Sequence, residues 1–383
     1  MRIGLLIRAL TVGGAERQLV GLARALRAEG LGVSVLVLYR AGNFLEEELA
    51  AAGVPLVHLR KRGRWDIPGF FGRLRSAARE LELDVVYSFL PTANVLAAIL
   101  WGDGGSRGPA VVWGVRGADA VGAGHDWLGR ALVRAQDFLA GRADAVIANS
   151  GPGIDACRAR GWPPGQLHLV PNGLDGTVFD FDATARERLR KDWGVAEGQP
   201  VIGTAGRLDP VKGLEDFLPA VARVLVVQPA ARAVVAGDGA PGYAATLRAQ
   251  AEGLGLAAAL RWLGPVRDMA AFYSAVDLVC VPSRSEGCSN VVAEALACGT
   301  PVVATRVGDN ALYLEDASRL AEPADPGALA DAMLCALAPP APESRAARRR
   351  IILDQLAVPR LVRQTITVLE GAVGRRRSRP AAG

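Results

Sequence analysis

Lysine, histidine and cysteine are all scarce in this chain of 383 residues. It has three lysines against 41 arginines, three histidines and five cysteines: Cys157, Cys280, Cys288, Cys298 and Cys335. The cysteines form neither a CxxC pair nor a metal-ligand cluster with the histidines, which argues against a zinc site. Their odd number in a long chain argues against a disulfide framework as well. We therefore expect a reducing, cytoplasmic location.

Long apolar runs are also missing. The N-terminal stretch MRIGLLIRAL is interrupted by Arg8, is followed by Glu16 and Arg17, and ends without a small-residue cleavage pattern. It therefore predicts a first β-strand rather than a signal peptide. The apolar run ANVLAAILWG is well short of the roughly 20 residues that a transmembrane helix needs. These features favour a soluble or peripheral protein.

The net charge of +5 is modest, but basic residues are concentrated at residues 60–79, RKRGRWDIPGFFGRLRSAAR. Trp65, Phe70 and Phe71 lie among them. Such a segment could contact an anionic membrane surface, here the inner face of the plasma membrane, because basic groups attract headgroups and aromatic rings enter the interface. The alternative is a loop and a solvated helix face. We expect no nucleic-acid partner.

Short apolar runs alternate with amphipathic segments along the chain, which predicts an α/β protein with doubly wound parallel sheets. The pattern breaks after LHLVPNGLD and restarts at PVIGTAGRL. We therefore predict an N-terminal domain over residues 1–178 and a C-terminal domain over 179–356. A helix at about 357–374 is predicted to return to the first domain, followed by a disordered basic tail at 375–383.

Arg207 and Lys212 lie in GRLDPVKG, residues 206–213, directly after the apolar run VIGTA. Gly206 and Gly213 permit tight turns on either side. Two cations beside a helix N-terminus form a site suited to a diphosphate. Because lysine is so rare here, its presence suggests that a compact ammonium group is needed. The alternative is a surface loop with ordinary charges.

The stretch SEGCSNVVAE, residues 285–294, predicts a loop and a helix that begins near Ser289. The free N–H groups of the first turn, the Ser289 hydroxyl and the Asn290 amide could bind phosphate oxygens. Glu294, one turn later, could accept hydrogen bonds from ribose hydroxyls, and Glu286 from the hydroxyls of a sugar. The alternative is a capped helix with solvated carboxylates.

The order and spacing of these motifs resemble the retaining glycosyltransferases of family 4, also called the group 1 glycosyltransferases. The loop GRLDPVKG is followed by Glu286 and Glu294 with seven residues between them, and then by ACGTPVVAT. TVGGAER, VPNGLD and DLVCVPS extend the resemblance over nearly the whole chain.

This resemblance implies a GT-B fold, in which two Rossmann-like domains face a central cleft. The N-terminal domain would bind mainly the acceptor, and the C-terminal domain the nucleotide sugar. It implies metal-independent catalysis without a cofactor, with Arg207, Lys212 and Glu286 as the catalytic residues. The implied donor-binding residues are Gly13, Gly14, Arg116, Arg207, Lys212, Glu286, Cys288, Ser289, Asn290 and Glu294.

Gly13 and Gly14 follow the predicted first strand, where the family has a glycine-rich loop that approaches the diphosphate or the acceptor. TVGGAER lacks the G-x-G-x-x-G spacing of a dinucleotide fold, so these glycines do not indicate NAD. The alternative is an ordinary strand-to-helix turn.

The sequence departs from the family at Arg116, where many members have a histidine close to the donor sugar. Arginine could bind an acceptor phosphate or a sugar hydroxyl, but it cannot exchange a proton as neutral imidazole does. His125 is a candidate substitute, and a loop histidine without a special role is the alternative. Asp180 and Asp182 resemble a metal-binding DxD motif, but they fall in the predicted linker, so we expect no metal there.

The implied reaction moves a hexose or N-acetylhexosamine from a nucleotide sugar, with UDP as the expected nucleotide, to a glycan in cell-surface polysaccharide biosynthesis. The basic, aromatic segment at 60–79 favours a lipid-linked acceptor. Backbone groups near residues 237–239 and 263–264 are expected to bind the base. One alternative is a nucleotide-sugar epimerase on a GT-B-like scaffold, which would need acid and base carboxylates in the cleft. The other is a sugar-nucleotide-binding protein without catalysis.

Overall fold

Two parallel β-sheets organise the chain, each at the centre of its own structural unit. The computed structural model describes residues 1–61, 66, 68–102, 108–117, 127–314, 316–338 and 345–378. The first unit comprises Met1–Gly173 and Val358–Gly383, and the second comprises Leu174–Ala357. The predicted α/β class with two Rossmann-like parallel sheets is confirmed.

The first unit contains a seven-stranded sheet in the order β3-β2-β1-β4-β5-β6-β7. The strands are β1 (Arg2–Ile7), β2 (Gly32–Val37), β3 (Leu56–His58), β4 (Val85–Phe89), β5 (Ala110–Val115), β6 (Ala145–Ala148) and β7 (Leu167–Leu169). The helices are α1 (Gly14–Ala28), α2 (Phe44–Ala51), α3 (Pro68–Glu80), α4 (Leu90–Trp101), α5 (Trp127–Leu139), α6 (Gly151–Ala159) and, near the C-terminus, α15 (Val358–Arg377).

The central strands of this sheet are buried on both faces, which explains why they are largely apolar. Side chains alternate along β1, so Leu5 and Ile7 belong to one hydrophobic cluster and Leu6 belongs to another. The first cluster includes residues of α1 and α15, and the second includes residues of α3, α4 and α6. Helix α15 therefore completes the core of the first unit.

The prediction of a disordered tail from residue 375 is wrong for its first three arginines. They continue α15, because the first unit provides acceptors for their guanidinium groups. Arg375 Nη2 donates to the backbone oxygen of Asp144 at 3.0 Å, and Arg376 Nη1 lies 3.5 Å from the Asp144 carboxylate. Residues 379–383 lie outside the described residues.

The basic segment at 60–79 is only partly a surface feature. Phe70 is fully buried in the core and cannot enter a membrane interface, so this part of the membrane-contact prediction is wrong. Arg73 forms an ion pair with Asp66 and donates to the backbone oxygen of Leu59. Trp65 lies outside the described residues. Among the helices of the described ranges, none combines the length and apolarity needed to cross a bilayer.

The second unit contains a six-stranded parallel sheet in the order β10-β9-β8-β11-β12-β13. The strands are β8 (Val201–Ala205), β9 (Arg232–Ala236), β10 (Leu260–Gly264), β11 (Leu278–Val281), β12 (Val302–Thr305) and β13 (Leu320–Ala321). The helices are α7 (Ala183–Asp192), α8 (Leu214–Val227), α9 (Pro241–Gly253), α10 (Met269–Ala275), α11 (Asn290–Ala297), α12 (Asn310–Tyr313), α13 (Pro326–Leu337) and α14 (Arg345–Leu356).

Candidate functional site

The strand order of the second unit reverses between β8 and β11, which pair directly through Leu278 with Ile202 and Val279 with Gly203. In open parallel sheets, ligands bind beyond the carboxyl ends of the strands at such a switch point. The loops that leave β8 and β11 contain Arg207, Lys212 and Glu286. The topology therefore brings these predicted site residues to one place.

Lys212 and Glu286 form an ion pair, with Nζ and Oε1 2.6 Å apart. Ser283 Oγ donates to the same carboxylate oxygen at 2.7 Å. The Lys212 and Glu286 side chains are 29% and 11% exposed, so the pair is only partly accessible to water. An ammonium group has three donors, and this pair uses one of them, so Lys212 can also donate to a phosphate. Glu286 fixes where that charge lies.

Arg207 is much more exposed than Lys212, since 70% of its side chain is accessible. Its guanidinium lies 3.1 Å from the Asp209 carboxylate in the same loop. An exposed ion pair contributes at most about 1 kcal/mol. An incoming anion can therefore compete for Arg207 at low cost.

Gly213 allows the loop after β8 to pass close to the loop after β11. Its φ of 64° is left-handed, and a Cβ there would lie 2.0 Å from the backbone oxygen of Pro282. Arg284 N donates to the backbone oxygen of Val211 at 2.8 Å and joins the same two loops. Close backbone approach therefore sets the relative position of Lys212 and Glu286.

We expect Gly213→Ala to destabilise the protein by about 2 to 4 kcal/mol, because it adds both left-handed strain and a backbone clash. Gly255→Ala is the matched control, since Gly255 has a φ of 71° but faces open space. That control should lose only the strain contribution of about 1 kcal/mol. Urea unfolding of both variants measures the difference. Equal losses would show that the two loops do not constrain each other.

Helix α11 begins at Asn290, and Ser289 is its N-cap. Ser289 is 3% exposed, and its side chain makes no capping hydrogen bond. The first N–H groups of a helix have no partners within the helix and favour a negative charge. A hydrogen bond anchors the preceding loop, since Asp309 N donates to the backbone oxygen of Gly287 at 2.9 Å. This helix start can bind phosphate oxygens.

Glu294 lies on α11 and is 8% exposed. Its Oε2 accepts a 2.8 Å hydrogen bond from the hydroxyl of Tyr273, a fully buried residue of α10. A buried carboxylate needs such donors to offset its desolvation. Burial, with a smaller contribution from Glu294, raises the pKa of the nearby Cys298 to about 12. Cys298 is therefore an uncharged thiol at neutral pH.

We expect Tyr273→Phe to weaken UDP binding by about fivefold, because losing one hydrogen bond of about 1 kcal/mol leaves Glu294 less firmly oriented. Tyr39→Phe, in the first unit, removes a hydroxyl with the same change in size and serves as the control. Calorimetric titration with UDP measures both variants. If Tyr273→Phe binds UDP as tightly as the parent, the phenol does not position Glu294.

Cys288, another predicted donor-binding residue, is 7% exposed, and its sulfur lies 3.2 Å from the hydroxyl of Tyr313. Burial and the adjacent Cys288 raise the pKa of Tyr313 above its ordinary value. The buried position of Cys288 assigns its side chain to packing. Its contribution to a ligand site would come through its backbone.

The loops after β8, β9 and β10 are joined by backbone hydrogen bonds at the predicted base-binding position. Gly206 N donates to the oxygen of Ala236 at 3.0 Å, and Gly237 N donates to the oxygen of Gly264 at 2.7 Å. A Cβ at Gly237 would lie 1.8 Å from the backbone oxygen of Gly206. Only glycine fits there, so this edge presents main-chain groups.

Gly13 and Gly14 belong to the first unit, where Gly13 is the N-cap of α1 and Gly14 its first residue. A Cβ at Gly13 would lie 2.4 Å from Glu16 Oε2. Thr11 Oγ1 donates to the other oxygen of that carboxylate at 2.7 Å. Glu16 thus places a negative charge at the start of α1. This charge disfavours a diphosphate there and suits a ligand with hydroxyl donors.

Arg116 follows β5, and its side chain is held by residues of the first unit. Its Nη2 donates to Tyr87 OH at 2.6 Å, and its Nη1 donates to Asn172 Oδ1 at 3.1 Å. The guanidinium carbon lies 4.5 Å from the centre of the Phe89 ring. Burial raises the pKa of Tyr87, and Arg116 partly opposes that shift. Arg116 is therefore a cation held in place by Tyr87, Asn172 and Phe89.

The other residues considered from the sequence either have structural roles or lie outside the described residues. Asp182 caps α7 by accepting from Ala185 N at 2.9 Å, and Asp180 lies 3.4 Å from the guanidinium of Arg349. His125 falls outside the described residues. Sequence reasoning missed Ser283 and Tyr273, whose roles depend on partners three and 21 residues away. Ser283 lies two residues beyond the end of the apolar strand β11, and this position was the one available signal.

Two models of glycosyltransferase families match this chain, in agreement with the family resemblance of its motifs. A family model described as Glycosyltransferase Family 4 matches residues 12–177, and one described as Glycosyl transferases group 1 matches residues 199–338. A D-inositol 3-phosphate glycosyltransferase of Nocardiopsis dassonvillei is 30% identical over 321 residues, which are 77% of this chain and 74% of that protein.

A D-inositol 3-phosphate glycosyltransferase of Geodermatophilus obscurus is 36% identical over 224 residues, which are 55% of this chain and 49% of that protein. The chain thus spans about half the length of this relative. Crystal structures of Anabaena HepE, in complex with UDP and glucose and with UDP-glucose, match with a TM-score of 0.85 at 25% identity. These matches cover 97% of this chain and 99% of HepE, and they confirm the predicted fold class.

Proposed function

The chain belongs to glycosyltransferase family 4, the group 1 glycosyltransferases, and on that premise we propose that it transfers a sugar from a nucleotide donor to a hydroxyl group. The observation that carries this proposal is the pairing of Lys212 with Glu286 at 2.6 Å, at the switch point of the second sheet. A cation and a carboxylate at this point suit a ligand that contains both a diphosphate and hydroxyl groups.

In the proposed reaction, the bond between the anomeric carbon and the diphosphate breaks, and negative charge grows on the departing oxygen. Lys212, Arg207 and the first N–H groups of α11 stabilise that charge, because they are positioned before it develops. The acceptor hydroxyl attacks the same carbon from the face that the diphosphate leaves, and its proton passes to the departing diphosphate. The configuration at the anomeric carbon is then retained, and no metal ion is required.

The proposed donor is a UDP-linked hexose or N-acetylhexosamine. The complexes of HepE with UDP and UDP-glucose support UDP. Glu294 would accept hydrogen bonds from the ribose hydroxyls, and Glu286 from hydroxyls of the sugar. For the acceptor, the basic residues at 60–79 favour a lipid-linked glycan, and the names of the relatives favour D-inositol 3-phosphate. Both present hydroxyl groups of a polyol ring.

The test is turnover of UDP-glucose and UDP-N-acetylglucosamine, each with D-inositol 3-phosphate or glycan acceptors and with EDTA present. We expect UDP release that depends on the acceptor, and a product whose anomeric coupling in NMR matches that of the donor. GDP and ADP sugars serve as controls for the base. Epimerisation of the donor without an acceptor, or no turnover with any pair, would contradict the proposal.

A further inference from the structure

A cavity of about 550 Å³ lies within the first unit, at the amino edge of its sheet. Its lining includes Asp84, which precedes β4, and Pro109, which precedes β5. Gly13 and Arg116 instead follow the carboxyl ends of β1 and β5. The cavity is therefore at the opposite edge of the sheet from these candidate residues, and its role is independent of the proposed sugar transfer.

Two arginines of α3, Arg75 and Arg79, line the cavity and are exposed. They lie four residues apart on one helix face, where like charges repel and destabilise a helix. Within the described residues, neither side chain has an ion-pair or hydrogen-bond partner. An arrangement that costs stability and has no partner among the described residues suits a ligand that supplies the negative charge.

The acidic residues of the cavity are already engaged by other groups. Asp84 Oδ1 accepts from Arg377 at 2.8 Å, and its Oδ2 accepts from the backbone nitrogen of Arg2 at 2.8 Å. Glu82 forms an ion pair with Arg2. These carboxylates therefore do not neutralise Arg75 and Arg79. Among the described residues, the lining of the cavity keeps an excess of positive charge.

Other residues of the lining are apolar and include Leu83, Leu100, Trp101 and Val373. Arg376 lies beside it, 2% exposed, and donates to the backbone oxygens of Trp101 and Gly102. These buried contacts fix the apolar part of the lining before any ligand binds. A ligand that fits both parts has a doubly charged anionic group and an apolar body.

We propose that this cavity binds a phosphate monoester that carries an apolar group. Guanidinium groups pair with phosphate oxygens in bidentate geometry, and two of them match the charge of a phosphate monoester. The apolar body contacts the Trp101 side of the cavity. Such a phosphate could belong to a soluble metabolite or to a lipid headgroup, and the two sources require different probes.

The test compares the parent with Arg75→Ala/Arg79→Ala. The matched control is Arg360→Ala/Arg363→Ala, which removes two exposed arginines of α15 outside the cavity. Calorimetric titration with phenyl phosphate represents a soluble source. Co-sedimentation with phosphatidylcholine vesicles, with or without phosphatidic acid, represents a lipid source. Any binding of the probe to the proposed donor site is common to all three proteins and cancels in the comparison.

We expect at least tenfold weaker binding of one probe by Arg75→Ala/Arg79→Ala, and parental binding by the control. Loss of phenyl phosphate binding indicates a soluble ligand, and loss of vesicle binding alone indicates a lipid. The thermal midpoint of the double variant should equal or exceed that of the parent, because a repulsive pair is removed. Equal binding by both double variants, or no binding of either probe by the parent, would overturn the proposal.

Discussion

Lys212→Ala is expected to lower kcat for sugar transfer by about 10²-fold or more, since removing a charged transition-state contact costs about 3 kcal/mol. Most of the loss should appear in kcat rather than KM, because charge on the departing diphosphate grows as the bond breaks. Steady-state kinetics with UDP-glucose and a saturating acceptor measure this effect. Because Lys212 pairs with Glu286, the substitution removes a positive charge from one fixed point in the site.

Lys191→Ala is the control, because Lys191 is an exposed residue in the last turn of α7. It should retain parental kcat. A double-mutant cycle of Lys212→Ala with Glu286→Gln then tests whether the carboxylate acts through the ammonium group. Additive losses would mean that the two residues act separately, and an unchanged kcat in Lys212→Ala would place the diphosphate elsewhere.

Glu294→Ala is expected to weaken UDP binding by about 10²-fold. The reason is that hydrogen bonds to a charged group contribute about 1.5 to 3 kcal/mol, and the ribose hydroxyls would lose theirs. Glu294→Gln should lose less, because its amide oxygen still accepts one hydrogen bond. Calorimetric titration with UDP measures both affinities.

The control for charge is Glu252→Ala, an exposed glutamate of α9. It should bind UDP like the parent. Because Glu294 is buried against Tyr273, thermal unfolding of each variant must show that the protein is folded. Parental UDP affinity in a folded Glu294→Ala variant would remove Glu294 from the ribose site.

Much of the fold follows from local pattern in the sequence. The central strands of each sheet are covered on both faces, so they are largely apolar and alternate with amphipathic helices. The strand-to-helix loop at residues 206–213 could be placed because its glycines follow an apolar run directly. Gly213 then proved to be needed both for its left-handed φ and for contact with Pro282.

The side-chain pairings could not be predicted, because they depend on which strands are neighbours. Lys212 and Glu286 are 74 positions apart and meet only because β8 pairs with β11. The motifs had assigned Lys212 to the diphosphate and Glu286 to the sugar hydroxyls of one ligand. Similarly, Tyr273 contacts Glu294 because α10 packs beside α11, a relation that leaves no periodic signal in the sequence.

The arginines at the C-terminus show the same limitation. A run of like charges near a chain end favours disorder when it is judged by composition alone. Arg375 and Arg376 are ordered because Asp144, more than 200 positions away, supplies a carbonyl and a carboxylate at the edge of the first sheet.

The proposed donor site can be tested by a crystal structure of the protein with UDP. We expect the diphosphate to lie between the Arg207–Lys212 loop and the first turn of α11, within hydrogen-bond distance of Lys212 Nζ, and the ribose hydroxyls to contact Glu294. A diphosphate bound away from the carboxyl ends of β8 and β11 would contradict it.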